Sequence, residues 1–417
     1  MSELRQRSAR TPGGDGVVRH GKLKRGAAWK TLLAIVASGL AVVLVSGASV
    51  AAIAAWQLQS NIETVTIDFD EQGPPPAIGA FEGGFNILLV GSDTREGQGD
   101  AFGKDPGSEL NDVNMLLHVA QDQKSAVLVS IPRDMVVPLP RCEDGGPATG
   151  LPINESFSYG GLACTVETVQ NLTGLPIQFA GLITFNGVIA MSDAVGGVEV
   201  CITEPILDPY TGLNLPTAGS HTLQGWNALA FLRSRHGVGD GSDLGRISSQ
   251  QVFLSSLVRK IKSDDTLTDF SKLYGIAQAA TQNITLSDNF ARLDTLVSIA
   301  LVLKNIPLEN IAMVQYPSRT GGTGIYLGKV QPITSTATAL FDAIKADVPI
   351  GLDANAVGAN GGSQLDPNAP APDPAASPDP SATPDPSATP EDPGPAAQLI
   401  PGLKGQTAAQ YTCSVAN

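Results

Sequence analysis

The chain has 417 residues and a formal net charge of −14. The charge is uneven, because the first 30 residues hold eight basic and two acidic side chains and the remainder therefore carries a net −20. An acidic body without a basic, aromatic-rich stripe argues against nucleic acid as a partner. At this length we expect one large domain with accessory segments.

An uncharged stretch runs from Thr31 to Ile62. Its apolar part, residues 31–56, exceeds the roughly 20 residues that a membrane-spanning helix needs. A cleaved signal peptide is the alternative interpretation, but its apolar region has only about 7–15 residues. Because basic flanks stay in the cytoplasm, we expect residues 1–30 to be a cytoplasmic arm. The sequence thus predicts a single-pass protein of the cell membrane with an extracytoplasmic body.

Composition divides the rest of the chain into four predicted parts. A spacer covers 57–80, a folded domain 81–350, a Gly- and Pro-rich linker 351–397, and a C-terminal segment 398–417. The stretch 366–395 contains 11 prolines and no aromatic residue, Lys or Arg. Such a composition cannot bury a core, so this tail is predicted to be disordered.

Strand and helix patterns alternate within the predicted domain. Apolar runs such as "FNILLVGSD" and "SAVLVSIP" indicate strands, and segments such as "LACTVETVQNLTG" indicate amphipathic helices. The segment 267–305 is predicted to be helical throughout. Such alternation is typical of an α/β fold in which helices flank a central mixed β-sheet.

The four cysteines suit an oxidising, extracytoplasmic location. Their spacings match no zinc or redox motif, so disulfides are the favoured interpretation. Three pairings are possible, and we favour Cys142–Cys164 with Cys201–Cys413, because the first pair brackets one Gly- and Pro-bearing loop. Buried thiols without a bond are the alternative.

Two aspartates are candidate metal ligands. In "GSDTR", Asp93 and Arg95 directly follow a buried strand, and Asp112 lies just before the next one. Ligands of open α/β sheets bind at such strand ends. If the strands are neighbours, the two carboxylates converge, and hard oxygen ligands suit Mg²⁺. A surface salt bridge between Asp93 and Arg95 is the simpler alternative.

Four further arginines are candidate anion ligands. Arg133 follows a strand and a backbone-restricting proline, and the stretch "FLRSRHGVGDGSDLGR" adds Arg233, Arg235 and Arg246. Guanidinium groups bind phosphate in a bidentate manner, so several together suit a pyrophosphate. Arg233 and Arg235 would point about 200° apart on one helix, so both reach one site only if the helix ends between them.

Seven segments in order give this chain a resemblance to the LytR-CpsA-Psr family over about residues 84–262. They are "FNILLVGSDTR", "LNDVNML", "VSIPRDMVV", "INESFSYGG", "VGGVEVCI", "LQGWNALAFLRSRH" and "DLGRISSQQ". The resemblance implies a Mg²⁺-assisted phosphotransferase. Such an enzyme moves a glycopolymer from a polyprenyl-pyrophosphate carrier to peptidoglycan and forms a phosphodiester.

Site roles follow from the same motif match. The resemblance implies Asp93 and Asp112 as metal ligands, and a catalytic, pyrophosphate-binding cage supported by Asp243 and Gln250. The arginines of that cage are Arg95, Arg133, Arg233, Arg235 and Arg246.

Two positions depart from the family pattern. Leu110 and Ser249 stand where the family often has arginine, and the loss of two cations would weaken phosphate binding. No general base is evident, since a lone loop histidine such as His236 is usually a solvated group. A polyprenyl-pyrophosphate phosphohydrolase and a cell-wall polymer-binding module without catalysis remain the alternative functions.

Overall fold

The computed structural model describes residues 28–67, 83–95, 98, 102, 109–142, 150–263, 269–353, 355–369 and 397–417. The chain separates into two units, residues 1–55 and 56–417. Helix α1 (Ala28–Ser60) contains the predicted span 31–56. This helix is long and apolar enough to cross a bilayer, which supports membrane anchoring. The predicted cytoplasmic arm lies almost wholly outside the described residues.

The regular elements of the second unit are numbered in chain order. The strands are β1 (Glu63–Val65), β2 (Phe85–Ser92), β3 (Asn111–Val119), β4 (Ala126–Ile131), β5 (Val136–Pro138), β6 (Gly150–Pro152), β7 (Phe179–Ile183), β8 (Val198–Ile202), β9 (Ile206–Asp208), β10 (Leu213–Leu215), β11 (Gly219–Leu223), β12 (Ile284–Ser287), β13 (Ile311–Gln315), β14 (Ser318–Thr320), β15 (Val330–Pro332), β16 (Ile350–Gly351), β17 (Ser363–Leu365), β18 (Gln398–Leu399), β19 (Gly405–Thr407) and β20 (Thr412–Ser414). The α-helices after α1 are α2 (Gly161–Thr173), α3 (Phe185–Ala194), α4 (Trp226–Arg233), α5 (Asp243–Lys262), α6 (Phe270–Asn283), α7 (Leu293–Asn305) and α8 (Thr334–Lys345).

Eight strands form a large mixed sheet in the order β1-β12-β7-β2-β3-β4-β13-β19. Strand β3 pairs antiparallel with both β2 and β4, whereas β2 pairs parallel with β7 and β4 pairs parallel with β13. Alternate residues of β4 enter different cores, with Val127 and Val129 in one and Ala126 and Leu128 in the other. Both faces are covered, which confirms the predicted α/β fold with helices around a central mixed sheet.

A second, four-stranded sheet has the order β11-β8-β20-β17. Helix α5 contacts both sheets through buried polar groups. Gln315 of β13 donates from Nε2 to Leu244 O (3.2 Å) and to Ser248 Oγ (3.0 Å), and Ser249 Oγ lies 2.7 Å from Ser414 Oγ of β20. Because buried polar groups need fixed partners, these bonds hold α5 in one position between the sheets.

Parts of the predicted linker and spacer form short strands, which no sequence pattern indicated. Residues 363–365 form β17 and pair with β20, and residues 350–351 pair with β18. At the other boundary, residues 63–65 form β1 at the edge of the large sheet. These short strands lack a strong apolar pattern and depend on partners distant in sequence. Residues 68–82 and 370–396, including most of the predicted disordered tail, lie outside the described residues.

The predicted helix over 267–305 is interrupted by a strand. Helices α6 and α7 flank β12, whose sequence "ITLS" pairs antiparallel with β7. Its two β-branched residues favour a pleated conformation, and an open pairing edge on β7 decides the outcome. The helical prediction was therefore wrong over 284–292, which hold β12 and the turn that follows it.

Two disulfides join the cysteines in the pairs that the sequence favours. Cys142 bonds to Cys164 with Cα atoms 5.5 Å apart, and Cys201 bonds to Cys413 with Cα atoms 4.4 Å apart. The second bond links neighbouring strands β8 and β20, in which the two cysteines are register partners. It therefore ties the C-terminal segment to the second sheet.

Candidate functional site

Two aspartates meet where β2 ends and β3 begins. The β2–β3 register shifts beyond Gly91 and leaves Asp112 as the extra residue of a β-bulge. Bulges turn a side chain out of the ladder and are frequent beside functional sites. Asp93 follows β2 directly, and its N–H donates to Leu110 O (3.2 Å) while Leu110 N–H donates to Asp93 Oδ1 (3.1 Å). The convergence predicted from the sequence is thus built by an antiparallel pair.

The Asp93 carboxyl group has an unusual electrostatic environment. Burial raises its pKa and the nearby Asp112 carboxylate raises it further, against a smaller lowering effect that includes Arg133. Carboxylates that oppose each other's ionisation are suited to share a divalent cation. Their oxygen atoms are the ligand type that Mg²⁺ prefers, so this pair fits the predicted metal.

Arg133 stands just past β4 and contacts one of these carboxylates, that of Asp112. Its Nη1 pairs with Asp112 Oδ1, its Nε lies 3.7 Å from Asp134 Oδ2, and its backbone N–H donates to Asp243 Oδ2 (3.2 Å). Burial opposes the charge of Arg133, but the Asp112 and Asp134 carboxylates outweigh it, and the pKa is raised. Arg95 lies half-buried just beyond Asp93. We call Asp93, Arg95, Asp112 and Arg133 the strand-end half of the site.

Asp243 and Arg246 form a buried ion pair in the first turn of α5. Ser242 caps this helix by accepting the Gly245 N–H (3.2 Å), which leaves the two charged residues three positions apart on one face. Arg246 Nη2 lies 2.6 Å from Asp243 Oδ1 and donates to the Asp112 carbonyl oxygen (2.9 Å). With exposed fractions of 3% for Arg246 and 6% for Asp243, the pair is held from several sides.

Helix α4 ends at Arg233, as the sequence argument requires. Ser234 is extended (φ −62°, ψ 129°), so Arg235 leaves the helical path. The Arg233 guanidinium lies 4.3 Å from the centroid of the Phe185 ring, and Arg235 Nη2 lies 3.9 Å from Asp243 Oδ1. We call Arg233, Arg235, Asp243 and Arg246 the loop half of the site, and residues 234–242 the arginine loop.

The arginines oppose one another's charge. Burial lowers the pKa of Arg233, and Arg95 and Arg246 lower it further; burial, Arg246 and Arg133 likewise lower that of Arg235. Nearby aspartates oppose these effects without cancelling them. A half-buried group of mutually repelling guanidinium ions is stabilised by a bound polyanion.

Gln250, which was predicted to support the cage, and Ser249 and Leu110, which depart from the family pattern, have other roles. Gln250 is 3% exposed and donates to Leu232 O (2.9 Å), so it holds the end of α4 and does not line the site. Ser249 is buried against Gly362 O and Ser414 Oγ, away from the arginines. This face of α5 packs on the C-terminal strands, which argues against a direct phosphate contact from position 249. Leu110 serves Asp93 through its backbone.

Two groups of aromatic contacts near the site were not predicted from the sequence. Phe185 lies under Arg233, and Phe102 stacks on Trp226 with ring centroids 5.6 Å apart while also contacting Phe185. No spacing rule links these positions, although "TFNG" after β7 is a strand-end segment. His236 is exposed, and its ring packs against Tyr210 with ring centroids 4.4 Å apart.

The fold and the site together define an α/β protein with a cluster of guanidinium groups beside paired carboxylates. The family model described as the LytR_cpsA_psr family matches residues 46–341. The chain therefore belongs to the LytR_cpsA_psr family.

Two curated relatives and one solved structure are informative. The chain is 32% identical to "Cell wall biosynthesis protein LcpA" of Corynebacterium glutamicum, over 59% of this chain and 52% of the relative. It is 26% identical to the polyisoprenyl-teichoic acid–peptidoglycan teichoic acid transferase TagT of Bacillus subtilis, over 57% of this chain and 70% of that protein. A "LytR-Csp2A-Psr enzyme from Actinomyces oris" aligns with a TM-score of 0.51 and 22% identity, over 68% of this chain and 96% of that one.

These similarities cover only part of this chain and of its relatives. The chain spans about half the length of two curated relatives, 52% of LcpA and 56% of the "Probable cell wall biosynthesis protein LcpB" of Corynebacterium glutamicum. The likeness to the solved structure shows the fold. Activity, substrates and partners of this chain are therefore argued from its own site.

Proposed function

We propose that this protein is a membrane-anchored phosphotransferase. It would move a glycopolymer from a polyprenyl-pyrophosphate carrier to peptidoglycan and form a phosphodiester. The observation that carries the proposal is the convergence of the two halves of the site, in which Arg246 bonds both to Asp243 and to the backbone of Asp112. Guanidinium groups and carboxylates are thereby held close to one another, which supports a diphosphate site.

The proposed step exchanges one phosphorus–oxygen bond for another. A sugar hydroxyl of the acceptor attacks the phosphorus that carries the glycopolymer, and the bond from this phosphorus to the bridging oxygen breaks. Polyprenyl phosphate leaves, and the hydroxyl proton is lost to solvent or to a carboxylate. Charge accumulates on the bridging oxygen, where the arginines stabilise it.

Each half has its own part in this step. The loop half binds and neutralises the diphosphate, and Asp243 orients Arg246 through their 2.6 Å contact. In the strand-end half, Arg133 adds a cation, and Asp93 and Asp112 would hold Mg²⁺. The bound ion would supply further charge neutralisation at the phosphoryl oxygens. His236 is exposed and its ring packs at a tilt against Tyr210, which does not favour it as a base.

The relatives' names agree with this proposal. One relative is named for cell wall biosynthesis and another for transfer of teichoic acid to peptidoglycan. An apolar N-terminal helix would keep the site close to a membrane-borne carrier. Which glycopolymer this chain takes is a separate question, since several such polymers share the pyrophosphate-carrier chemistry.

A product analysis tests the proposal. The full chain in detergent is incubated with a lipid-linked oligosaccharide pyrophosphate and short peptidoglycan chains, with Mg²⁺ or EDTA, and products are read by mass spectrometry. We expect an adduct joined through one phosphate, which EDTA and Arg246→Ala abolish. Arg292→Ala is the matched control, because Arg292 belongs to an exposed ion pair with Asp294.

The other outcomes identify the alternatives. Lipid phosphate released without an adduct would indicate a phosphohydrolase. Polymer bound without turnover would indicate a binding module, and in that case Asp93→Ala should leave binding unchanged. Either result would contradict the transferase.

A further inference from the structure

The backbone of the arginine loop is held mainly by residues outside α4 and α5, the helices that it connects. It follows the end of α4 and contains two glycines with positive φ, Gly239 (56°) and Gly241 (75°). Its described internal backbone bonds are those of two tight turns, Val238 N–H to Arg235 O and Gly241 N–H to Val238 O. Such a segment has a low intrinsic preference for one conformation. The position of Arg235 therefore depends on what the loop contacts.

Residues 415–417 form a short antiparallel bridge with the loop. Gly239 N–H donates to Val415 O (2.9 Å), and Asn417 N–H donates to Gly237 O (3.2 Å). The Asn417 side-chain amide donates to the His236 carbonyl oxygen (3.1 Å). These bonds fix the backbone on the residues that directly follow Arg235.

Residues 360–362 hold the other side of the loop. Asp240 N–H donates to Asn360 O (3.1 Å), and Asn360 Nδ2 donates to Asp240 Oδ2 (2.7 Å). A Cβ at Gly239 would lie 3.0 Å from Asn360 O, and one at Gly362 would lie 2.3 Å from Gly245 O. Gly362 therefore packs directly on the first turn of α5, which carries Arg246.

Both of these segments are attached to the two sheets. Strand β17 pairs with β20, β20 pairs with β8, and β19 pairs with β13 in the large sheet. The disulfide Cys201–Cys413 adds a covalent link. At least one partner in each of these contacts lies beyond residue 341, where the match to the family model ends.

We propose that residues 360–362 and 415–417 are a positioning brace that sets the diphosphate affinity of the loop half. The brace acts through the backbone of the arginine loop, and its residues do not themselves contact substrate. Asn360 is its most testable member, because its side-chain amide donates to the Asp240 carboxylate. Burial raises the pKa of Asp240, but the hydrogen bonds that this carboxylate accepts from Ser242 and Asn360 outweigh burial and lower the pKa. The expected effect on diphosphate affinity rests on the proposed function, whereas the positioning of the arginine loop does not.

The test uses Asn360→Asp, which places a carboxylate against Asp240 and keeps a residue type that tolerates the left-handed backbone at φ 50°. Two properties of the full chain in detergent are measured. One is affinity for inorganic pyrophosphate with Mg²⁺, by calorimetry, and the other is amide hydrogen exchange over 234–246. We expect faster exchange and affinity that is lower by about tenfold.

Two control variants separate positioning from general stability. Asn310→Ala removes a comparable bond, from Nδ2 to Lys124 O (3.0 Å), near the start of β13 at the opposite end of the sheet, and should change neither property. Asp240→Asn in the Asn360→Asp background restores one donor and one acceptor, and should recover both properties.

Three results decide between the possibilities. Unchanged exchange over 234–246 in Asn360→Asp would overturn the brace, as would faster exchange with unchanged pyrophosphate affinity. A parent chain that does not bind pyrophosphate would instead contradict the proposed function. In that case, the exchange measurement with its rescue variant still decides whether the brace holds the loop.

Discussion

The two halves of the site differ in what holds them. The strand-end half stands at neighbouring ends of β2, β3 and β4, which sheet hydrogen bonds fix over most of their length. The loop half stands on a helix end, a glycine-containing loop and a helix start, and takes support from residues more than 100 positions away. A sheet can thus present paired carboxylates unaided, whereas a cluster of like charges on a loop needs additional contacts.

The buried acid Asp243 should show the largest effect, because it joins the halves. Asp243→Ala removes the partner of Arg246 and an acceptor for the Arg133 N–H, and leaves a buried guanidinium without its carboxylate. We expect a loss of roughly 4 kcal/mol in the free energy of unfolding, measured by urea titration. Asp294→Ala removes an exposed carboxylate and should cost about 0.5 kcal/mol. Equal losses in the two variants would show that the halves are not joined through Asp243.

The strand-end half should be separable from the loop half by its metal dependence. Asp93→Asn keeps the shape of the side chain and removes one carboxylate charge beside Asp112. We expect the Mg²⁺ concentration for half-maximal transfer to rise on the order of tenfold, with pyrophosphate affinity at saturating Mg²⁺ retained. Transfer titrated with Mg²⁺ measures the first, and calorimetry the second. An unchanged Mg²⁺ requirement would remove Asp93 from the metal site.

The smallest effect is expected for Phe185, whose ring lies under the Arg233 guanidinium. Phe185→Leu removes the ring that lies 4.3 Å from this guanidinium and keeps an apolar side chain. A cation–π contact contributes about 0.5–1 kcal/mol, so the KM for the lipid-linked substrate should rise roughly two- to fivefold with little change in kcat. Phe253→Leu is a comparable core change in another aromatic pair and serves as the control. A similar KM for both variants would show that Phe185 acts only in packing.

Much of the strand-end half follows from local sequence. Apolar runs end at Asp93 and Arg133 and begin after Asp112, and polar residues at such points collect at one edge of a sheet. The bulge that exposes Asp112 was not predictable, since it depends on the register between two strands. The α/β fold was also predicted, and the end of α4 at Arg233 was expected as the condition for Arg233 and Arg235 to reach one site.

The supports of the loop half could not be predicted. Ser249 and Gln250 stand next to each other in the motif, yet one bonds to Ser414 and the other to Leu232. Their orientation depends on which faces of α5 the two sheets cover, and this is a tertiary property. Short strands such as β17 and β20 likewise carry no pattern that would reveal a partner beyond a proline-rich stretch.

In the proposed transfer, the bond between the sugar-linked phosphorus and the bridging oxygen of the pyrophosphate breaks. One labelling experiment tests this directly. A lipid-linked oligosaccharide carrying radioactive phosphorus only in its sugar-linked phosphate is incubated with the full chain, Mg²⁺ and peptidoglycan chains. We expect the label in the peptidoglycan product and unlabelled polyprenyl phosphate as the leaving group. Label released as polyprenyl pyrophosphate would show attack at the sugar carbon, and label released as a soluble phosphorylated saccharide would show hydrolysis. Either result would contradict the phosphotransferase.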